Sequence, residues 1–297
     1  CARRCAVGRR VGCRCAPPDT NGAVGKTQYV QIVNEGYQVF DKTTGNPLLA
    51  PVGISSIWTG FGGACSTGGQ GDPVVLYDQL ADRWIITQFA SATGNGTITD
   101  ECIAVSTTGD ATGTYNRYGF HLGTNFFDYP KLGVWPDAYY MSMNVFNSSG
   151  TAYLGPQPFA FDRAAMLAGN PATFISPVGP LGGSVPPFLP ADLDGSTLPP
   201  AGAPNTFLGF PSSNKYTAYH FHVDFAAPSN STFPTFATTT AAGFTSLCTT
   251  TRSCVPDLGV TSSHNLAGLG ARAMFRLASR HFGIHGSLLG SFTLHPV

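Results

Sequence analysis

Three aspartates stand where short apolar runs begin: Asp72 in GDPVVLYD, Asp128 in DYPKLGV and Asp192 in LPADLDG. Carboxyl groups gathered from such positions would suit acid–base work on a glycan, because cleaving a glycosidic bond takes two carboxyls with separated protonation states. The same side chains also cap turns by accepting hydrogen bonds from nearby backbone. In YTAYHFHVDF (216–225) the strand period of two puts His220, His222 and Asp224 on one face and Tyr219, Phe221, Val223 and Phe225 on the other. Two imidazoles and a carboxylate could hold a transition metal, and a solvated polar face calls for the same pattern. Asp192 and Asp194, two apart before Gly195, resemble the oxygen-rich loops that take calcium, though the EF-hand glutamate is missing. Calcium is the one cofactor these residues suggest, and a plain Asx turn before the Pro-rich loop is the favoured reading of them. Trp58, Trp135 and Tyr139 offer faces for stacking on sugar rings; aromatics of this kind also fill cores.

Other chemistries lack their motifs. No Gly-x-Ser-x-Gly elbow is present, and the Ser-x-x-Lys at 212–215 falls in an expected hairpin turn without its companion motifs. The glycine-dense GFGGACSTGGQGD (60–72) has no Gly-Lys-Ser/Thr and reads as a flexible loop tethered by a disulfide. His281 and His285 are four apart without the adjacent glutamate of a zinc-protease helix.

The cysteines divide into two groups. Cys65 and Cys102 flank a strand-rich stretch and Cys248 and Cys254 lie six apart in CTTTRSC, so two disulfides and an oxidising compartment are expected, with the pairing open among three arrangements. The other four (Cys1, Cys5, Cys13, Cys15) share the first 16 residues with Arg3, Arg4, Arg9, Arg10 and Arg14. That stretch has neither helical nor strand period nor the apolar core of a signal peptide, and it reads as a tail or a sequence artefact. Asn95, Asn147 and Asn230 are glycosylation sequons in turn-like surroundings.

Composition narrows the architecture. The chain has 297 residues, 42 % hydrophobic but only 11 % charged, with 36 Gly and 23 Pro. Of its acids only Glu35 and Glu101 are glutamate, and it has four lysines, whereas helical proteins use Glu and Lys freely. Many short strands joined by turns follow. Beyond residue 16 the balance is 11 basic against 16 acidic groups, which excludes a charge-driven nucleic-acid binder, and no apolar run reaches the roughly 18 residues of a membrane-spanning helix.

The strands come in order. Residues 27–40 read as a hairpin closed by DKTTGNP. Runs at 74–77, 84–89, 103–106 and 115–122 make a four-stranded unit of about 50 residues, the size of a propeller blade. The pattern restarts at 128 and again at 189, and a fourth copy is expected from 272 to the end. Between strands, DRAAMLAG (162–169) should form a short helix with Asp162 as N-cap and Gly169 as C-cap. Residues 177–204, rich in Pro and Gly, read as an extended surface loop.

The runs PPDTNGAVGKTQYVQIVN, GDPVVLYDQLADRWIITQF, ECIAVSTTGDATGTYNRY, DYPKLGVWPDAYYMSMNVF, AFDRAAMLAG and RAMFRLASRHFGIHGSL resemble a group of secreted bacterial proteins of unassigned function. The resemblance covers nearly everything after residue 16. It implies a β-propeller fold, secretion and neighbouring adhesion-type or sorting domains, and it implies no catalytic residues. Relatives continue beyond FTLHPV, so the chain is expected to be a fragment whose open ring exposes two sheet edges.

The expectation is an all-β, propeller-like domain over 17–297, with about four four-stranded antiparallel blades, secreted or extracellular. Its leading function is binding or adhesion through a glycan or cell-surface ligand, without a catalytic constellation. A glycan-active hydrolase or lyase using Asp72, Asp128 or Asp192 is the alternative; a structural surface or filament subunit that self-associates through open sheet edges is the third.

Overall fold

The computed structural model describes residues 18–291 except 35, 95, 213, 246, 249, 252, 257–265, 268–271 and 283–286. The Arg/Cys-rich tail, the Asn95 sequon, His264, His285 and His295 lie outside the described residues.

Four antiparallel blades follow one another along the chain. Blade 1 holds β1 (Asn21–Val24), β2 (Gln28–Val33), β3 (Gly36–Asp41) and β4 (Pro47–Gly53). Blade 2 holds β5 (Gly69–Asp78), β6 (Arg83–Ala90), β7 (Asp100–Ser106) and β8 (Tyr115–His121). Blade 3 holds β9 (Phe126–Val134), β10 (Ala138–Phe146), β11 (Tyr153–Asp162) and β12 (Phe174–Ile175). Blade 4 holds β13 (Phe188–Asp194), β14 (Asn205–Ser212), β15 (Lys215–Phe221) and β16 (Thr235–Thr240). The first strands β1, β5, β9 and β13 lie side by side in that order, which makes the all-β, propeller-like architecture expected from the strand spacing.

Alternation explains how the blades stack. In β6, Trp84, Ile86 and Ala90 enter the core shared with blade 1, beside Val30, Ile32 and Trp58. Ile85, on the other face, enters the core shared with blade 3. Likewise β10 sends Tyr139, Met141, Met143 and Val145 towards blade 2 and Ala138 and Tyr140 towards blade 4. These middle strands are covered on both faces, so they read as continuous apolar runs. Each large side chain buried in this way contributes about 1.5–3 kcal/mol.

Three expectations need correction. The hairpin at 27–40 is the centre of a complete first blade, because the short β1 and the Pro-led β4 flank it. Residues 177–204 are more than a surface loop: they contain β13, whose Phe188, Leu189, Ala191 and Leu193 are buried despite Pro190, while Ala191 N–H finds its acceptor in the Asn205 side chain at 3.1 Å. The expected fourth copy from 272 is not a further blade among the described residues. After β17 (Ser253–Val255) and β18 (Leu266–Ala267), which pair with each other, β19 (Leu277–His281) runs parallel to β13, and β20 (Ser287–Ser291) pairs with β19.

The short helix is as expected: α2 (Arg163–Ala168) starts at Asp162, whose carboxylate accepts from Ala165 N–H at 3.0 Å, and ends at Gly169 with φ +72°. The glycine-dense stretch is more ordered than a flexible loop, since α1 (Gly63–Thr67) forms there and buries Cys65. Cys65 and Cys102 are joined, tying α1 to β7, and Cys248 and Cys254 are joined. No helix among the described residues is long and apolar enough to cross a membrane.

Candidate functional site

A cleft of about 580 Å³ opens where the first strands of blades 1 to 3 meet the segment leading into β19. Asp19 and Asn21 line it from blade 1, Asp72 from β5, Tyr129 and Lys131 from β9, and Arg272 from the segment before β19. Asp128 stands next to Tyr129 and feels the charges of Asp19, Asp72, Lys131 and Arg272. Residues as far apart in the chain as Asp19 and Arg272 thus line one cleft, because the first strands of blades 1 to 3 pack side by side.

The backbone here is strained. Asp19, Asp72 and Tyr129 have φ of +43°, +44° and +60°, and only Asp82 joins them among described non-glycine residues with positive φ. Each such residue costs on the order of 1–3 kcal/mol, so the neighbouring structure must hold it in place. At Asp72 the holder is Asn34, at the turn after β2, whose Oδ1 accepts the Asp72 N–H at 2.8 Å and whose Nδ2 donates to Asp19. Gly71 makes room for this contact: a Cβ there would lie 2.5 Å from Asn34 Oδ1, at φ +109°.

Protonation in the cleft departs from that of free side chains. Burial pushes the Asp72 carboxyl up to about 7; the charges of Asp19 and Asp128 and a hydrogen bond to Asp19 add to the effect, and Lys131 opposes it. Asp128 is also raised, first by burial, with its own Tyr129 N–H bond, Lys131 and Arg272 pulling down. Burial lowers the Lys131 amine to about 8 against the three carboxylates. Its Nζ sits 3.7 Å from the Tyr129 ring centroid and donates to Pro130 O at 2.9 Å, while the Arg272 guanidinium lies 4.9 Å from the same ring. Glu101 is fully buried in β7, its oxygens lacking a well-directed hydrogen bond with only the Thr87 hydroxyl close by, and desolvation holds it well above the usual carboxylate range.

The expected site residues separate. Asp72 lines the cleft and feels the charge of Asp128, which stands next to the lining residue Tyr129; Asp192 does not join them. It is buried, accepts the Val134 N–H at 2.8 Å, and pairs with Arg276, which also donates to Asp194 at 3.1 Å. The guanidinium sets a positive charge against Asp192 and Asp194, the two carboxylates whose spacing resembles a calcium loop. Trp58 and Tyr139 are fully buried and Trp135 nearly so, which leaves the core reading of the two weighed and not sugar stacking: they pack between blades, with the Trp135 indole N–H on Ala203 O and the Tyr139 hydroxyl on Asp78. His220 stacks on Phe236 with centroids 3.8 Å apart, and Asp224 caps the turn at Ala226 and Ala227. Among the described residues no three His, Cys, Asp or Glu side chains are close enough to share a metal ion. Asp19, Asn34, Lys131 and Arg272 were missed; the one available signal was Lys131, one of four lysines, set inside an apolar strand.

Comparison with protein-family models and with curated proteins gives no match. Among solved structures the chain is similar to an exo-β-1,3-galactanase from Phanerochaete chrysosporium with β-1,3-galactotriose, at 8 % identity over 73 % of this chain and a TM-score of 0.29. It is similar to a GH43 enzyme from Xanthomonas citri at 11 % identity over 73 % of each chain and a TM-score of 0.38. A GH43 β-1,3-galactosidase gives 13 % identity over 72 % of this chain and a TM-score of 0.28. The chain spans 59 % of the galactanase and 54 % of the galactosidase.

The leading expectation, an adhesion-type module without a catalytic constellation, is corrected. It rested on the absence of a local motif, whereas the fold lines one cleft with Asp19, Asp72, Lys131 and Arg272 and sets Asp128 beside them.

Proposed function

We propose that this chain is a glycan-active hydrolase that cleaves a glycosidic bond in the axial cleft. One observation carries the reading: Asp19 and Asp72 line the cleft from two blades with Asp128 of a third beside them, and burial pushes the Asp72 carboxyl up to about 7. Hydrolysis of a glycoside needs one carboxyl that still has a proton to give and another that has lost its own. Asp72 is the proton donor to the departing sugar oxygen, and Asp128 is the base that draws a proton from the attacking water. Lys131 and Arg272 hold Asp128 as the anion, and Tyr129 with the cleft walls confines the sugar. The cleft is of a size that takes a small ligand or the end of a chain. Two disulfides fit work in an oxidising, extracellular setting.

The test is turnover of a panel of plant, fungal and bacterial glycans, followed by release of reducing ends. Asp72→Asn and Asp128→Asn should each lower kcat by about 100-fold or more. Asp192→Asn, at a carboxyl that does not line the cleft, should keep most of the turnover of the folded enzyme. No cleavage of any glycan, or full activity in Asp72→Asn, would overturn the reading.

A further inference from the structure

Among the described residues five arginines are half-buried: Arg83, Arg117, Arg163, Arg272 and Arg276. Four of them spend N–H groups on the protein. Arg83 donates to the carbonyls of Ala81 and Asp82, Arg117 to those of Ile57 and Thr59, Arg163 to Asp78, and Arg276 to Asp192 and Asp194. Arg272, in the wall of the cleft, donates to no group among the described residues and forms no ion pair with Asp19, Asp72 or Asp128. A guanidinium carries five donors in one plane and stays charged, so a half-buried one without an acceptor in the protein is open to an oxyanion. Its position is held by an aromatic ring: the guanidinium lies 4.9 Å and the Lys131 amine 3.7 Å from the Tyr129 ring centroid, so one ring carries two cations. Lys131 uses one of its three donors, on Pro130 O at 2.9 Å, and likewise makes no ion pair among the described residues.

We infer that Arg272 is a specificity-determining residue that takes the carboxylate of an acidic sugar, so that the glycan entering the cleft is one that contains uronic acids. Two parallel N–H···O bonds match a planar carboxylate, and the hydroxymethyl group of a neutral hexose offers no such pair of acceptors. The contact with Tyr129 limits the freedom the guanidinium must give up when it binds. Lys131 adds a second positive charge at the same ring. Asp72, largely neutral below about 7, adds little repulsion against an incoming anion there. Arg276 also lines the cleft, but Asp192 and Asp194 already neutralise it. Arg272 acts on Asp128 through space, which sets the anion site beside the proposed base. The inference rests on the hydrolase reading for where the sugar sits; the preference for an anion is a property of binding and is read without turnover.

The experiment is isothermal titration calorimetry of the whole chain, below the Asp72 midpoint, with trisaccharides of galacturonate, glucuronate and mannuronate, each beside the neutral trisaccharide of the parent hexose in the same linkage. At least one acidic ligand should bind about 10-fold or more tightly than its neutral counterpart. Arg272→Gln should bring the two within about twofold of each other, and Arg272→Lys, which keeps the charge and loses the planar fork, should retain only part of the preference. Should Arg272→Gln fail to fold, the unaltered protein decides: the preference must shrink several-fold between about 50 and 500 mM NaCl, and a preference indifferent to salt overturns the inference. Equal binding of acidic and neutral ligands, no binding of any acidic ligand, or a preference that survives Arg272→Gln also overturns it. On glycans that are cleaved, Arg272→Gln should raise KM for an acidic substrate more than for a neutral one. Cleavage of neutral glycans without any uronate preference would leave the hydrolase reading standing and defeat this one; uronate binding through Arg272 without turnover of any glycan would do the reverse.

Discussion

Arg163 grips Asp78 with two hydrogen bonds across the interface of blades 2 and 3, Nε to Oδ2 at 2.7 Å and Nη2 to Oδ1 at 3.1 Å. The Asp78 side chain is fully buried, and it also accepts from the Tyr139 hydroxyl and from the N–H groups of Leu80 and Ala81. The pair depends on α2, which begins the turn of helix that carries Arg163 back towards blade 2.

Removing one partner leaves a buried charge alone. Arg163→Ala should therefore destabilise the protein by about 3–5 kcal/mol, read as a shift of the urea midpoint. A loss below about 1 kcal/mol would show that the pair is not what fastens the two blades.

Buried acidic groups set the pH dependence of stability. Asp72, Asp128, Glu101 and Asp192 all have folded pKa values above their unfolded ones, so the folded state binds more protons over the window between. The share from Asp72 is fully present below about pH 4, where the unfolded carboxyl is also protonated, and is lost as pH rises through about 7. The Tm should accordingly fall between pH 4 and 7, and Asp72→Asn should flatten that slope. Lys131 acts in the other direction at higher pH: its folded amine deprotonates near 8 and the unfolded one near 10.4, so its cost to stability diminishes over that range. A Tm that rises from pH 4 to 7 would refute this balance.

Arg276 should behave as a built-in cation. Arg276→Met leaves Asp192 buried without its partner and should cost about 3 kcal/mol, while adding Asp192→Asn should restore part of the loss through a coupling of about 1–3 kcal/mol. Millimolar calcium should leave the Tm of the unaltered protein where it is; a rise of several degrees would show that the carboxylates bind the ion despite the guanidinium.

The bond between Cys65 and Cys102 spans a sequence separation of 37. Cys102→Ser should cost about 2–4 kcal/mol, and peptide mapping without reduction should recover the Cys65–Cys102 and Cys248–Cys254 pairs. The second bond closes a separation of only 6 and should matter less, since a short loop loses less entropy when closed.

Much of the fold was legible because its rules are local. Alternation along TQYVQIVN and the apolar runs of RWIITQFA and AYYMSMNVF mark strands, and Asp162 with Gly169 brackets α2 through capping groups that lie beside the helix they close. Less visible was β13: Pro190 and the surrounding prolines obscure a strand whose innermost position and Asn205 partner supply what its own residues lack. Trp58 and Tyr139 show the converse, since an aromatic suited to a sugar and one suited to a core are the same residue until burial decides.

The amino-acid sequence alone determined that this is a chain of short strands, with four cysteines suited to two disulfides whose pairing it left open, and with aspartates at the starts of its repeating units. Only the tertiary structure decided which aspartates meet. Asp19, Asp72 and Asp128 join Lys131 at the axis, while Asp192 turns to Arg276, because convergence of inner strands depends on the twist and stacking of whole blades. The protonation of Asp72 follows from that convergence: burial and neighbouring charge are properties of a place in space, and residues 19, 72 and 128 acquire that place only once three separately formed sheets have packed together.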